Sequence, residues 1–255
     1  MEKQIKKVKS ADRVLDIFEL FANGADSYNL TEISKKLNMP PSSTYNILQN
    51  MLSRGYLEAD KSGKQFRIGY KLFAIRNRYI QGTSLSEEFN QFAEKIVNDL
   101  NESVSLSILR ENKLYYIRDK VSTHGLRYTP NQGDPISLHA TAAGKILLTQ
   151  FTMEELRALY PTNELEQITD KTINHFDELV IVLDKVRSTG IGYNLGETVS
   201  GVHCVAGGIL DQNNKIIAAI SMSIPTVRIT DEVWERIHYW INLATTALSK
   251  KFISI

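Results

Sequence analysis

A chain of 255 residues that is 42% hydrophobic and 23% charged carries enough apolar material for well-formed cores, which excludes a disordered polyelectrolyte. Its single cysteine, Cys204, excludes a disulfide framework or a thiolate-rich metal site within one chain; no cofactor or metal is expected. The net charge of +1 conceals a division near Gly82, because residues 1–82 hold 14 Lys+Arg against 8 Asp+Glu while residues 83–255 hold 16 against 21. A basic segment joined to an acidic one suggests a polyanion-binding module and a second domain that must stay off the polyanion. The basic start, Met1 to Ser10, is followed by no apolar stretch that could act as a signal peptide, and no run is long enough to span a bilayer. A soluble, cytoplasmic chain of two domains is the expectation.

Val14, Leu15, Ile17, Phe18 and Phe21 have helical spacing, which predicts a first helix over Ser10 to Ala22 with Ser10 as its N-cap. After a loop at Asn23 to Tyr28, Asn29 followed by Glu32 reads as a capping box for a short second helix with Leu30, Ile33 and Leu37 on one stripe. Asn38 and Met39 make a turn, and Pro40-Pro41-Ser42-Ser43 opens a third helix that ends at Gly55, its core face being Thr44, Ile47, Leu48, Met51 and Leu52. Two helices with so short a turn match a helix-turn-helix, whose second helix enters the major groove of DNA. Its outer face presents Ser42, Ser43, Tyr45, Asn46 and Gln49 as candidate base readers. Tyr56 to Asp60 and Gln65 to Ile68, around the turn Lys61 to Lys64, form a wing, where Lys61, Lys64 and Arg67 would meet phosphates. The expected domain is a winged helix-turn-helix over residues 1–69.

Leu72, Phe73, Ile75 and Ile80 among Lys71, Arg76 and Arg78 predict an amphipathic linker helix within residues 70–83 that could join the domains or pair with its copy. From residue 84 to 255 strands and helices mix in an order that predicts an α+β domain. A helix runs from Ser84 to Asn101, and Val104, Leu106 and Ile108 then alternate with serines before the turn Glu111-Asn112-Lys113 and a return strand. Later strands fall at Val202 to Leu210 and Lys215 to Ile224, and helices at His139 to Gln150, Met153 to Leu159, Ile173 to Ser188 and Asp231 to Lys250. Small residues from Ala140 to Gly144 at a helix start would let backbone N–H groups approach an anion such as a carboxylate. Ala219, Ser221 and Ser223 share one strand face, and Cys204 and Ala206 lie together on the neighbouring strand, all small enough to line a cavity.

A nucleotide loop is excluded at Ala142 to Lys145, since His139 stands where the first glycine belongs and Ile146 where Ser or Thr would hold magnesium. No G-x-S-x-G elbow occurs, and histidines 124, 139, 175, 203 and 238 lack metal-ligand spacing. The rival readings are an enzyme with Cys204 as nucleophile and His139 or His203 as base, or a purely structural C-terminal dimerisation domain.

The run Asn29-Leu30-Thr31-Glu32-Ile33, then Pro40-Pro41-Ser42-Ser43-Thr44, then Gly55-Tyr56-Leu57 resembles the isocitrate lyase regulator (IclR) family. Leu138 to Lys145, Gly192-Tyr193 with Gly196-Glu197, and Gly201-Val202 with Cys204-Val205-Ala206 follow in the family's order. The resemblance implies a winged helix, a linker helix and a GAF-like effector domain with an antiparallel sheet flanked by helices. It also implies a transcription regulator rather than an enzyme, working as dimers often paired into tetramers on a palindromic operator. A small organic acid would control operator binding, with Ala142, Ala143, Asn194, Cys204, Ser221 and Ser223 at effector-binding positions. The sequence departs from relatives in lacking basic residues near Pro41 and Asn46, and in carrying Asn194 where they commonly have aspartate.

Overall fold

A computed structural model describes residues 8–72, 74–75, 84–129 and 136–253, which divide into two compact units, Met1–Gly82 and Thr83–Ile255. In the first unit α1 spans Lys9–Ala22. Ser10 is not its N-cap: the amides of Ala11 and Asp12 already bond to the Val8 carbonyl, so Val8 caps the helix without a side-chain bond and Ser10 lies inside the first turn.

The capping box of α2 (Leu30–Lys36) forms as its residues require, with Asn29 Oδ1 accepting from the Glu32 amide at 2.9 Å and the Asn29 amide donating to Glu32 Oε2 at 2.7 Å. Asn38 turns the chain with φ of 49°, and α3 (Pro41–Ser53) follows with proline at its first turn. It ends in a Schellman motif, where Tyr56 N–H bonds to Met51 O and Gly55 N–H to Leu52 O. Gly55 sits at φ of +76°, which disfavours any residue with a Cβ.

The wing strands β2 (Leu57–Ala59) and β3 (Gln65–Ile68) pair antiparallel, and a strand not expected from the sequence, β1 (Tyr28–Asn29), adds to β3. A two-residue strand has no period to read. Ile17, Phe21, Ile33, Leu48, Met51, Leu57 and Phe66 close the core. The linker reads as helical at residues 70–72 and 74–75, and the rest of the expected linker helix lies outside the described residues.

The second unit is a three-layer arrangement around a five-stranded antiparallel sheet. Its helices are α4 (Ser84–Leu100), α5 (Ala142–Leu148), α6 (Met153–Leu159), α7 (Phe176–Thr189) and α8 (Asp231–Ile253). Its strands are β4 (Ser103–Arg110), β5 (Lys113–Lys120), β6 (Ile191–Leu195), β7 (Val202–Leu210) and β8 (Ile216–Pro225), in the order β5-β4-β8-β7-β6. The β4–β5 hairpin turns on Glu111 and Asn112, both at positive φ, as a two-residue turn between right-twisted strands requires.

Period-two alternation divides the sheet. Val104, Leu106, Val205, Ile220 and Met222 pack beneath α4 and α8, whereas Ala206, Ala219 and Tyr116 face α5 and α7. Helix α5 begins at Ala142, three residues after the expected start, because Thr141 caps it by accepting from the Gly144 amide. It lies close on β6: a Cβ on Gly192 would come within 2.5 Å of the Ala142 carbonyl oxygen.

Candidate functional site

In the first unit, Ser42, Tyr45, Asn46 and Gln49 stand on the exposed side of α3 and Ser43 is half-buried, while Thr44, Leu48 and Met51 point into the core. Tyr45 is 50% exposed. The wing turn is stapled by Asp60, whose Oδ1 accepts from the amides of Lys64 and Gln65 at 2.9 and 3.1 Å. These bonds and that of the Ser62 hydroxyl hold the Asp60 carboxyl below the usual carboxylate range. Lys61 and Lys64 project from the exposed tip with no ion pair among the described residues. Arg67 differs from them, because Glu58 opposite it on β2 accepts from its Nε and Nη2 at 3.2 and 2.9 Å.

In the second unit, register brings four of the six expected effector residues together. Asn194, Cys204 and Ser223 are successive partners across β6, β7 and β8, and Ser103 of β4 completes the row. Gly192, Ala206, Ser221 and Ser105 make the adjacent row. Ser103 and Ser105 were legible only as serines alternating with apolar residues; the register makes them neighbours of Ser223 and Ser221. Ala142 and Ala143, buried at the start of α5, lie over this face beside Gly192. Their amides, unlike that of Gly144, take no hydrogen bond among the described residues.

The hydroxyl of Ser223 lies 3.2 Å from Cys204 Sγ. Burial of the thiol pushes Cys204 up to about 11, with the charge of Glu197 adding to it and the Ser223 bond opposing it. Such a thiol stays neutral and un-nucleophilic. The phenols of Tyr116 and Tyr128, near enough to feel Cys204, are likewise pushed up by burial. Ser221 and Ser105 are buried residues whose hydroxyls make no hydrogen bond among the described residues. Asn194 turns its amide toward its own loop: Oδ1 accepts from the Gly196 and Glu197 amides at 3.0 and 2.6 Å, and Nδ2 donates to Thr198 Oγ1 at 2.8 Å.

Beside this face lies a buried ion pair that the sequence reading did not find. Lys145, on the turn of α5 after Ala142 and Ala143, donates from Nζ to Glu197 Oε1 at 2.5 Å and to the Tyr193 carbonyl at 2.9 Å, and its side chain is 2% exposed. Burial lowers Lys145 and raises Glu197 from their ordinary values, each opposed by the partner's charge. His139 is a structural partner, its Nε2 2.9 Å from the Glu166 carbonyl oxygen and its ring edge-on to Tyr160. No histidine contacts Cys204 among the hydrogen bonds of the described residues, where its side-chain partner is Ser223.

The model of the IclR helix-turn-helix domain matches residues 10–61, and that of the bacterial transcriptional regulator IclR C-terminal matches residues 77–250. The HTH-type transcriptional regulator KdgR of Escherichia coli (strain K12) is 28% identical over 250 residues, 98% of this chain and 94% of its own length. An IclR transcriptional regulator from Alicyclobacillus acidocaldarius superposes with a TM-score of 0.83 at 20% identity, over 96% of this chain and 99% of its own. An IclR homolog from Microbacterium hydrocarbonoxydans, complexed with 4-hydroxybenzoate, superposes with a TM-score of 0.81 at 17% identity, over 96% and 100%. The chain therefore belongs to the IclR family of bacterial transcriptional regulators, with a DNA-binding helix-turn-helix followed by an effector-binding domain, and it is a regulator rather than an enzyme.

Proposed function

We propose that this regulator acts in the cytoplasm as a homodimer, or a pair of dimers, on a roughly palindromic operator, and that a small carboxylate held on the β6–β7–β8–β4 face controls its grip on DNA. Two-fold symmetry of the protein would be mirrored in half-sites one helical turn, or a multiple, apart. Ser42, Ser43, Tyr45, Asn46 and Gln49 would read bases, and Lys61, Lys64 and Arg67 would meet phosphates. No helix among the described residues is long and apolar enough to cross a membrane.

One observation carries the effector reading: two adjacent rows of small residues, four serines among them, lie beneath a helix start whose Ala142 and Ala143 amides are unused among the described residues. A carboxylate there would accept from those amides and from the Ser221 and Ser223 hydroxyls, each a charge-assisted bond. The neutral Cys204 thiol beside it would add no repulsion, and Lys145 offsets the charge of Glu197. The Microbacterium relative's 4-hydroxybenzoate, a hydroxylated carboxylate, fits that chemistry.

Thermal melting of the full chain against a panel of small carboxylates, 4-hydroxybenzoate included, tests it. A ligand at a hundred times its Kd should add about 2.7 kcal/mol of stability. The matching amides and methyl esters should add almost none. If esters stabilise as well as acids, or no acid stabilises, the carboxylate reading fails.

A further inference from the structure

We propose that the half-sites read by α3 are A·T base pairs, with no guanine bound by a cation. The inference rests on the reading of α3 as the recognition helix, and deepens it by naming the base class. Guanine shows two acceptors, O6 and N7, in the major groove and is matched by the paired donors of arginine or by lysine. Adenine shows an acceptor beside a donor, N7 and the N6 amino group, and is matched by a side-chain amide, which offers both.

Helix α3 holds no lysine or arginine anywhere from Pro41 to Ser53. Two of its three exposed amides, Asn46 and Gln49, are three residues apart and thus on one face, and neither makes a side-chain hydrogen bond among the described residues. They are free to present donor and acceptor together. Tyr45, half-exposed and one helical turn before Gln49 on the same face, offers an apolar surface that suits the thymine methyl group.

The nearby cations all stand off α3. Arg54, past the C-terminal end of α3, lines a groove with Val14 and Phe18 of α1. Arg67 is held by Glu58, and Lys36 lies over the Tyr28 ring. Lys35 is on the last turn of α2, the helix that crosses the phosphate backbone in this motif. Lys61 and Lys64, on a wing turn held by Asp60, are left to the phosphates and carry no base choice.

The test is selection of duplexes bound by the full-length chain from a random pool, followed by affinity measurement on the enriched sequence with modified purines. Adenine and thymine should dominate the positions protected in the major groove. Replacing adenine there by 7-deazaadenine, which lacks the N7 acceptor, should weaken binding about tenfold, whereas 7-deazaguanine elsewhere in the site should leave it unchanged. Asn46→Arg, at an exposed position, should move the selected base toward guanine. Guanine enriched at the protected positions, sensitivity to 7-deazaguanine, or an Asn46→Arg pool identical to the parent's would overturn the inference while leaving the regulator's DNA binding intact. A pool from which no sequence is enriched overturns the recognition-helix reading beneath it.

Discussion

On α3 Ser42, Asn46 and Gln49 face water, and the helix is held from behind by Thr44, Leu48 and Met51. On the effector sheet similar residue types, Ser103, Ser105, Asn194, Ser221 and Ser223, are all buried, Ser221 to 4% and Asn194 to 1% exposure. The difference is one of desolvation. A polar side chain in water costs nothing until a partner displaces its hydration, whereas a buried one must be satisfied by the protein or by a ligand. Folding and the proposed recognition are thus separable on α3, and partly fused on the sheet, where Asn194 uses its amide to shape the 194–198 loop beside the candidate pocket.

The strongest way to break this contrast is through Lys145. Lys145→Met would leave Glu197 buried without its counter-ion, a loss of about 3–5 kcal/mol, and the double variant Lys145→Met/Glu197→Leu should regain most of it. Burial already raises Glu197, and removing Lys145 would raise it further. Below the unfolded carboxylate pKa of about 4.3 both states are protonated, so the deficit should shrink on acidification and grow as pH rises above that value. Urea melts from pH 4 to 8 decide it; a deficit indifferent to pH, or a double variant no better than the single, would refute the pair's role.

Next in size is the pocket hydroxyl. Ser223→Ala should weaken the effector identified by melting about ten- to a hundredfold, or 1.5–3 kcal/mol, while operator affinity without effector stays as it was. Calorimetric titration reads this, and parental affinity in Ser223→Ala and Ser221→Ala alike would mean that the carboxylate sits elsewhere.

On α3 the expected pattern reverses. Asn46→Ala or Gln49→Ala should relax specificity by about 1–3 kcal/mol at one base position each, with stability changed by less than about 0.5 kcal/mol. A melting point that falls with either would show that the face supports the fold. The smallest effects belong to the wing: Lys61→Ala and Lys64→Ala should each lower the slope of log K against log salt by about 0.9 on any sequence. Arg67→Ala should lower it less, since Glu58 already offsets that charge. Equal slopes for all three would contradict the wing geometry.

Where a local rule governs, the residues can be read directly. The Asn29–Glu32 box, Pro41 at the start of α3, Gly55 at its end and the Glu111-Asn112 turn each concern a few neighbouring residues whose hydrogen bonds close among themselves. Alternation likewise divided Ala219, Ser221 and Ser223 from Ile220, Met222 and Ile224, and put Cys204 with Ala206. Ser10 shows the limit of such rules, because a cap residue does not set the helix start when a carbonyl two positions earlier already accepts the first bonds.

Strand β6 was missed for a related reason: Ile191 to Leu195 is five residues long and buried on both sides at Ile191, Gly192 and Asn194, so burial hides the alternation that would mark it. By itself, then, the sequence determined the winged helix, the period of every long element and the sets of residues sharing a face, since each follows from bonds and periodicities within a few residues. Tertiary structure decided which faces meet: that Ser103 and Ser105 join the rows of Ser223 and Ser221, and that Lys145 finds Glu197 across 52 residues of chain. Register and charge pairing of that kind depend on which low-dielectric space two distant segments come to share, and no local pattern of residues encodes it.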